Sequence, residues 1–362
     1  MALHLPRRRV SQAAALVAAA GLSGPGRTAR AAETESPEAM AARISMAIFG
    51  DDGMARPVPE QPVVSDLARG LDRTLVLGGG GEYYVAWYCG FFHGLLEAGL
   101  DPNLPEMVVG TSAGAYMGSS LTSGHFARLR VEFDFFGHFP RLFAAMAPVT
   151  DPNASQRRAQ EINFSVKDGS PASIRAIGHA ALAADNRVNG SAVERLAWLL
   201  TGDSRTGWPP ARMFTTANDC YTGERIVVSQ AVARRNGIPL AHATGASSSL
   251  PGVIGPTLLG QRYCMDGGIS RTWAHTDLVA GSKRAIVVTL TNGYEGSLLS
   301  GIPHNIHDEM RALEATGTRG MLIIAGTPPG VNLLDPNQIA PALRAGYERA
   351  KVEWPRIAAF WA

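Results

Sequence analysis

Between Arg73 and Leu121 the chain alternates in an order that few folds accept. An apolar run, Thr74-Leu75-Val76-Leu77, empties into four glycines, Gly78 to Gly81. Val85 to Ala98 then carries apolar residues at helical spacing (Phe91, Phe92, Leu95, Leu96) and stops at Gly99, a helix-ending signal. Met107-Val108-Val109 is a second apolar run, Gly110-Thr111-Ser112-Ala113-Gly114 a sharp turn, and Ala113 to Leu121 a second helix. Short apolar runs closed by glycine read as strands buried on both faces. Alternated with helices, they specify a mostly parallel sheet with helices on its faces, the α/β class. Further strands are expected at Arg212 to Asn218, Arg225 to Ser229, Arg262 to Met265, Ala285 to Leu290 and Met321 to Ala325, with a last helix from Pro341 to about Val352. From Val131 to Pro210 the alternation fails, and we expect an insertion with short helices of its own, Ser191 to Leu200 among them.

Outside this core the N-terminal residues read differently. Residues 1–31 have the build of an export signal resembling the twin-arginine type: Arg7, Arg8 and Arg9, an Ala-rich stretch from Ala13 to Leu22, and Ala29-Arg30-Ala31 for cleavage. The apolar stretch is too short for a membrane anchor. This favours a periplasmic or extracellular protein; a disordered extension on a cytoplasmic one is the alternative. Residues 32–72, dotted with Pro37, Pro57, Pro59 and Pro62, read as a linker or surface-packed leader, and 73–355 as the catalytic domain with its insertion at about 131–210. A net charge of +2 with scattered basic residues gives no nucleic-acid footprint. Cys89, Cys220 and Cys264 lie far apart, without metal spacing, and are expected as buried thiols; no metal and no cofactor is expected.

The chemistry is concentrated in three short motifs. Gly110-Thr111-Ser112-Ala113-Gly114 is a G-x-S-x-G between strand and helix, the context in which a strained serine projects at the carboxyl end of a sheet as a nucleophile. Its flanking residues, Gly110 and Gly114 included, must be small, and the helix N-terminus behind it favours developing negative charge. The glycine run upstream can turn bare amides toward an oxyanion. It fits neither a dinucleotide loop, since Tyr83 or Tyr84 stands at the third glycine, nor a P-loop, which needs Gly-Lys-Ser/Thr. Asp266-Gly267-Gly268 places a carboxylate at a strand end with no side chain crowding behind it; alone, it reads equally as a turn.

Together, in this order, the three resemble the patatin-like phospholipase family over about Arg73 to Leu290. Gly90-Phe91-Phe92-His93-Gly94-Leu95, Asp219 with Thr222-Gly223, and Ala246-Ser247-Ser248-Ser249-Leu250-Pro251 add to the match. The resemblance implies a three-layer α/β/α fold with a mostly parallel central sheet, related to the α/β-hydrolases. It also implies lipid acyl ester hydrolysis by a dyad, Ser112 as nucleophile and Asp266 as base. The amides of Gly79, Gly80, Gly81 and Ala113 would form the oxyanion hole, and Gly267 and Gly268 the rest of the D-G-G motif. Two departures stand out. Where the family usually reads G-G-G-x-[Lys/Arg]-G, this chain has Glu82-Tyr83-Tyr84 after its glycines, and Thr272-Trp273-Ala274 replaces an asparagine or threonine with proline. The inventory also leaves open a triad using His304 or His307, with His275 a further candidate, and a silent lipid-binding protein on the same fold. Phe133, Phe135, Phe136, Phe139 and Phe143 fit core packing, an acyl pocket or a lid in peripheral contact with a membrane, and their spacing matches no clean helix. A lipid or acyl ester is the expected partner; oligomeric state is not readable.

Overall fold

A computed structural model describes residues 56–146, 151–186, 195–198, 201, 208–209, 212–293 and 299–362. The expected export signal and most of the expected leader, 1–55, lie outside the described residues, as does the expected helix Ser191 to Leu200 apart from helical residues 195–198.

The expected α/β class is what folds. In chain order the elements are β1 (Arg73–Leu77), α1 (Gly81–Glu97), β2 (Met107–Gly110), α2 (Ala113–Thr122), α3 (Phe126–His138), α4 (Pro140–Met146), α5 (Ala154–Ser165) and α6 (Pro171–Ala183). They continue with β3 (Arg212–Asp219), β4 (Arg225–Ser229), α7 (Gln230–Asn236), α8 (Leu240–Ser247), β5 (Thr257–Leu259) and β6 (Arg262–Asp266). The last are β7 (Arg284–Thr289), α9 (Ile306–Glu314), β8 (Arg319–Ile324) and α10 (Ile339–Trp361). One mixed sheet runs β5-β6-β3-β2-β1-β7-β8, with β4 paired to β3 off that path. The strands from β3 through β2, β1 and β7 to β8 are parallel; β4, β5 and β6 join antiparallel.

Side-chain alternation divides the core into two. Leu75, Leu77, Val108, Ile286 and Val288 point into the cluster under α1, α2 and α10. Val76, Met107, Val109, Ala285 and Val287 point the other way, into the cluster with Ile306, Met310 and Leu313 of α9. Helices α1 and α10 pack backbone to backbone: a Cβ on Gly90 would lie 2.0 Å from the carbonyl oxygen of Leu343, and one on Gly346 1.9 Å from that of Trp87.

Three differences from the sequence expectations have physical causes. Helix α1 starts at Gly81, inside the glycine run, because Glu82-Tyr83-Tyr84 continue its turn and the Tyr83 amide, an orphan donor of the first turn, donates to the Leu333 carbonyl at 3.1 Å. Helix α10 runs through Pro355 to Trp361 rather than ending near Val352. The phenylalanine stretch is helical: Phe133 and Phe136 on α3 and Phe143 on α4 are buried against one another, while Phe135 and Phe139 stay exposed. The described part of the leader packs on the domain, with Gln61 Oε1 accepting from the Val227 amide at 2.7 Å. The three cysteines are buried and unpaired.

Candidate active site

Strand register brings the motifs together. Leu77 pairs with Gly110, so the glycine loop after β1 and the turn after β2 leave the sheet side by side. Gly110 pairs with Thr215 of β3, and two residues further along β3, Ala217 pairs with Asp266. Strand β3 continues past the end of β2, and β6 returns antiparallel beside that extension, so Asp266 at the end of β6 comes level with the turn that carries Ser112.

Ser112 has φ 53° and ψ −118°, a conformation costly for any residue with a Cβ, and it is 4% exposed. That geometry explains its neighbours. A Cβ on Gly110 would stand 2.4 Å from the Gly114 carbonyl oxygen, and one on Gly114 2.0 Å from that of Leu77. The turn is pinned by its amide, which donates to Ser247 Oγ at 2.9 Å, and by a 2.7 Å hydrogen bond between the Thr111 and Thr216 hydroxyls.

Asp266 is held from the same direction. Its amide donates to the Ser249 carbonyl at 2.9 Å, so one segment, Ser247 to Ser249, fixes both the serine and the aspartate. Asn218 Nδ2 donates to the Asp266 and Ile269 carbonyls at 2.8 and 3.1 Å, closing the D-G-G turn. Gly267 packs where a Cβ would meet Thr216 Oγ1 at 2.4 Å. The Gly268 amide donates to Asp266 Oδ1 at 2.7 Å, and Oδ2 has no hydrogen-bond partner among the described residues. Burial raises the Asp266 pKa to about 7, against the opposing pull of the Gly268 amide and the Ser112 hydroxyl. Beneath, Asp219 and Arg262 form a buried ion pair, Nη2 to Oδ2 2.6 Å, that ties β3 to β6.

The glycine loop lies against the nucleophile: a Cβ on Gly79 would be 3.0 Å from Ser112 Cβ and 3.6 Å from its Oγ. Gly80 and Gly81 are equally confined, by Tyr84 and Leu290 and by Leu333. Among the described residues the amides of Gly79, Gly80, Gly81 and Ala113 have no acceptor. Tyrosines anchor the loop where a basic residue and a further glycine are lacking. The Tyr88 hydroxyl reaches the carbonyls of Gly78 and Val288 at 3.1 and 3.2 Å, and the Tyr84 ring lies 4.0 Å from that of Tyr88.

The histidines sit elsewhere. His275 is buried in a left-handed conformation; its Nε2 is 2.9 Å from the Gly267 carbonyl, and its Nδ1 contacts the Thr272 hydroxyl and Arg225. It braces the D-G-G turn rather than facing Ser112. His304 stacks on the far side of Trp273, ring centroids 4.1 Å apart, with Nδ1 3.2 Å from the Ile302 carbonyl. His307 lies on the exposed side of α9, and His93 pairs with Glu97 on the surface of α1. None of these lines the cavity at the dyad, whose walls are Gly79, Asp266, Gly268, Ile269, Trp273 and Leu299. Leu299 also borders a neighbouring cavity of about 200 Å³, walled by Phe164, Leu250, Pro251, Val253, Val331, Leu333 and Leu334 with Asn163 and Asn332. The parts played by Asn218, Tyr88, Trp273 and His275 carry no sequence signal of their own.

A family model described as patatin-like phospholipase matches residues 75–273, more than half of the chain. No curated protein matches. Solved structures that match include VipD from Legionella pneumophila, at TM-score 0.38 and 13% identity over 84% of this chain and 72% of that one. The type III effector ExoU matches at TM-score 0.31 and 15% identity, over 79% of this chain and 55% of its own. ExoU in the ExoU–SpcU complex of Pseudomonas aeruginosa matches at 0.32 and 15%, over 83% and 59%. This chain therefore spans little more than half of either ExoU chain.

Proposed function

The chain belongs to the patatin-like phospholipase family, and from that membership we propose that it hydrolyses carboxylic esters of lipids by a Ser112–Asp266 dyad. The observation that carries the reading is convergence: a strained serine, a buried carboxylate with Oδ2 unpartnered, and unpaired glycine amides meet at one edge of the sheet.

In this mechanism Asp266 takes the Ser112 proton as Oγ attacks the ester carbonyl. The carbonyl oxygen becomes an oxyanion, held by amides drawn from Gly79, Gly80, Gly81 and Ala113; each such donor is worth about 2.7–4 kcal/mol in the transition state. Collapse breaks the ester C–O bond, and the departing alcohol takes the proton from Asp266. Water then gives a proton to Asp266 and attacks the acyl-enzyme; collapse frees the fatty acid and returns the proton to Ser112. A carboxyl with its pKa near 7 is a better-matched base at neutral pH than an ordinary aspartate.

The cavity beyond Leu299, mostly apolar with Asn163 and Asn332 in its wall, supports an acyl chain as the group bound. Exposed Val131, Phe135, Phe139, Leu142 and Met146 on α3 and α4 support peripheral contact with a lipid surface, and the Arg7–Arg9 head with Ala29-Arg30-Ala31 supports export. A short-acyl chromogenic ester and a fluorophosphonate probe test the proposal. The wild type should turn over the ester and carry the label on Ser112, and Ser112→Ala should do neither. Equal ester rates in the two proteins would favour a silent lipid-binding role instead.

A further inference from the structure

Trp273 stands in the wall of the dyad cavity, 2% exposed, and its indole nitrogen is a buried donor with no acceptor among the described residues. The ring is locked in place. Its backbone amide donates to Glu309 Oε1 at 2.7 Å, and one face stacks on His304 at an interplanar angle of 23°. Its Nε1 edge abuts Gly78, 3.3 Å from where a Cβ on that glycine would stand. Gly78 immediately precedes Gly79, the residue in contact with Ser112. A buried unpaired donor carries a stability cost. Phenylalanine would fill most of the same space without that cost. A rigid N–H left unsatisfied on a residue that lines the same small cavity as Asp266 and Gly79 is the arrangement of a donor whose acceptor arrives with the substrate.

We propose that the indole N–H of Trp273 donates a hydrogen bond to an oxygen of the scissile ester, supplementing the backbone amides of the glycine loop. The proposal rests on the hydrolase reading, and the position is one where this chain departs from the family pattern. Glu309 and His304 act through Trp273 as positioning residues.

Two replacements test it. Trp273→Phe removes the N–H and part of the ring. An isosteric tryptophan analogue with sulfur in place of the ring nitrogen, installed at position 273, removes the N–H alone and keeps the stacking on His304. Both should lower kcat/KM for a soluble short-acyl ester by roughly tenfold or more, and slow fluorophosphonate labelling of Ser112 in parallel, because both reactions place an oxygen near the same donor. The analogue should melt no lower than the wild type, since it keeps the packing and removes a buried unpaired donor. If the sulfur analogue retains kcat/KM within about twofold while turnover still depends on Ser112, the Trp273 assignment falls and the dyad stands. Turnover that does not depend on Ser112 at all overturns the hydrolase reading and this assignment with it.

Discussion

Ser112 can hold its strained backbone only because the residues around it remove every easier alternative. Its amide would normally point into the turn unsatisfied; Ser247 Oγ accepts it at 2.9 Å. Ser247→Ala strands that amide in a buried site, at a cost of about 1–3 kcal/mol. The expected result is a lower melting temperature and a larger fall in kcat than in KM, because the nucleophile drifts while the cavity walls remain. Steady-state kinetics beside a thermal melt check it, and unchanged kcat would remove Ser247 from the positioning scheme. Ser112 and Gly110 were legible in the sequence because their constraint is local, a tight turn with no room for a Cβ on Gly110 against Gly114 and Ala115. Gly114 was legible only through the motif, since what excludes its Cβ is the Leu77 carbonyl of the neighbouring strand. Asp266 was legible only through its motif, and Asn218, Tyr88 and Trp273 not at all. Their partners lie 48, 10 and 36 residues away or farther, and no spacing rule encodes a contact made by folding.

At the scale of elements, the strands were the most readable and the helix ends the least. A buried parallel strand must be apolar throughout, so β1, β2 and β7 advertise themselves, whereas α10 conceals its length behind Pro355. That proline lies on the solvent face, where the carbonyl it leaves unbonded can take water, so the helix continues. The turns beyond Val352 hold the fold together. Ile357 and Trp361 are buried against the α1 side of the core, the Trp361 carbonyl accepts from Arg73 Nε at 3.2 Å, and Glu353 is buried between Arg349 and Arg356. A chain ending at Val352 loses all of these. Each buried apolar side chain is worth about 1.5–3 kcal/mol, so the melting temperature should fall by at least about 5 °C. A differential scanning measurement decides; an unshifted transition would show that the last helical turns only decorate the surface. The phenylalanines of α3 and α4 were hard to read for a different reason. Those from Phe133 to Phe143 serve two faces at once, Phe133, Phe136 and Phe143 turned into the core and Phe135 and Phe139 left outside, so no single period describes them.

For the molecule as a whole, the site imposes a conflict between stability and activity. Burial raises three carboxyls, Asp266 and Glu309 to about 7 and Glu82 to about 8. Each binds its proton more tightly folded than unfolded, so each stabilises at low pH and loses that contribution as pH rises through its folded pKa. Burial also holds His275 and His304 well below the usual histidine value, with Arg225 adding to the effect at His275. Their sign is opposite: folding disfavours their protonated form, so they destabilise as pH falls below about 6.5 and are silent above it. From about pH 6.5 to about pH 8.5 only the carboxyls act, and stability should decline. Over the same interval Asp266 loses its proton and becomes competent as a base, so turnover should rise through about pH 7 and level off. Asp266→Asn separates the two. It should abolish turnover yet melt at a higher temperature than the wild type at about pH 8.5, with a shallower decline, because no charge is then forced into the cavity. Identical melting curves against pH in the two proteins would mean that Asp266 titrates as an ordinary surface carboxylate, a group too weakly basic to draw the proton from Ser112.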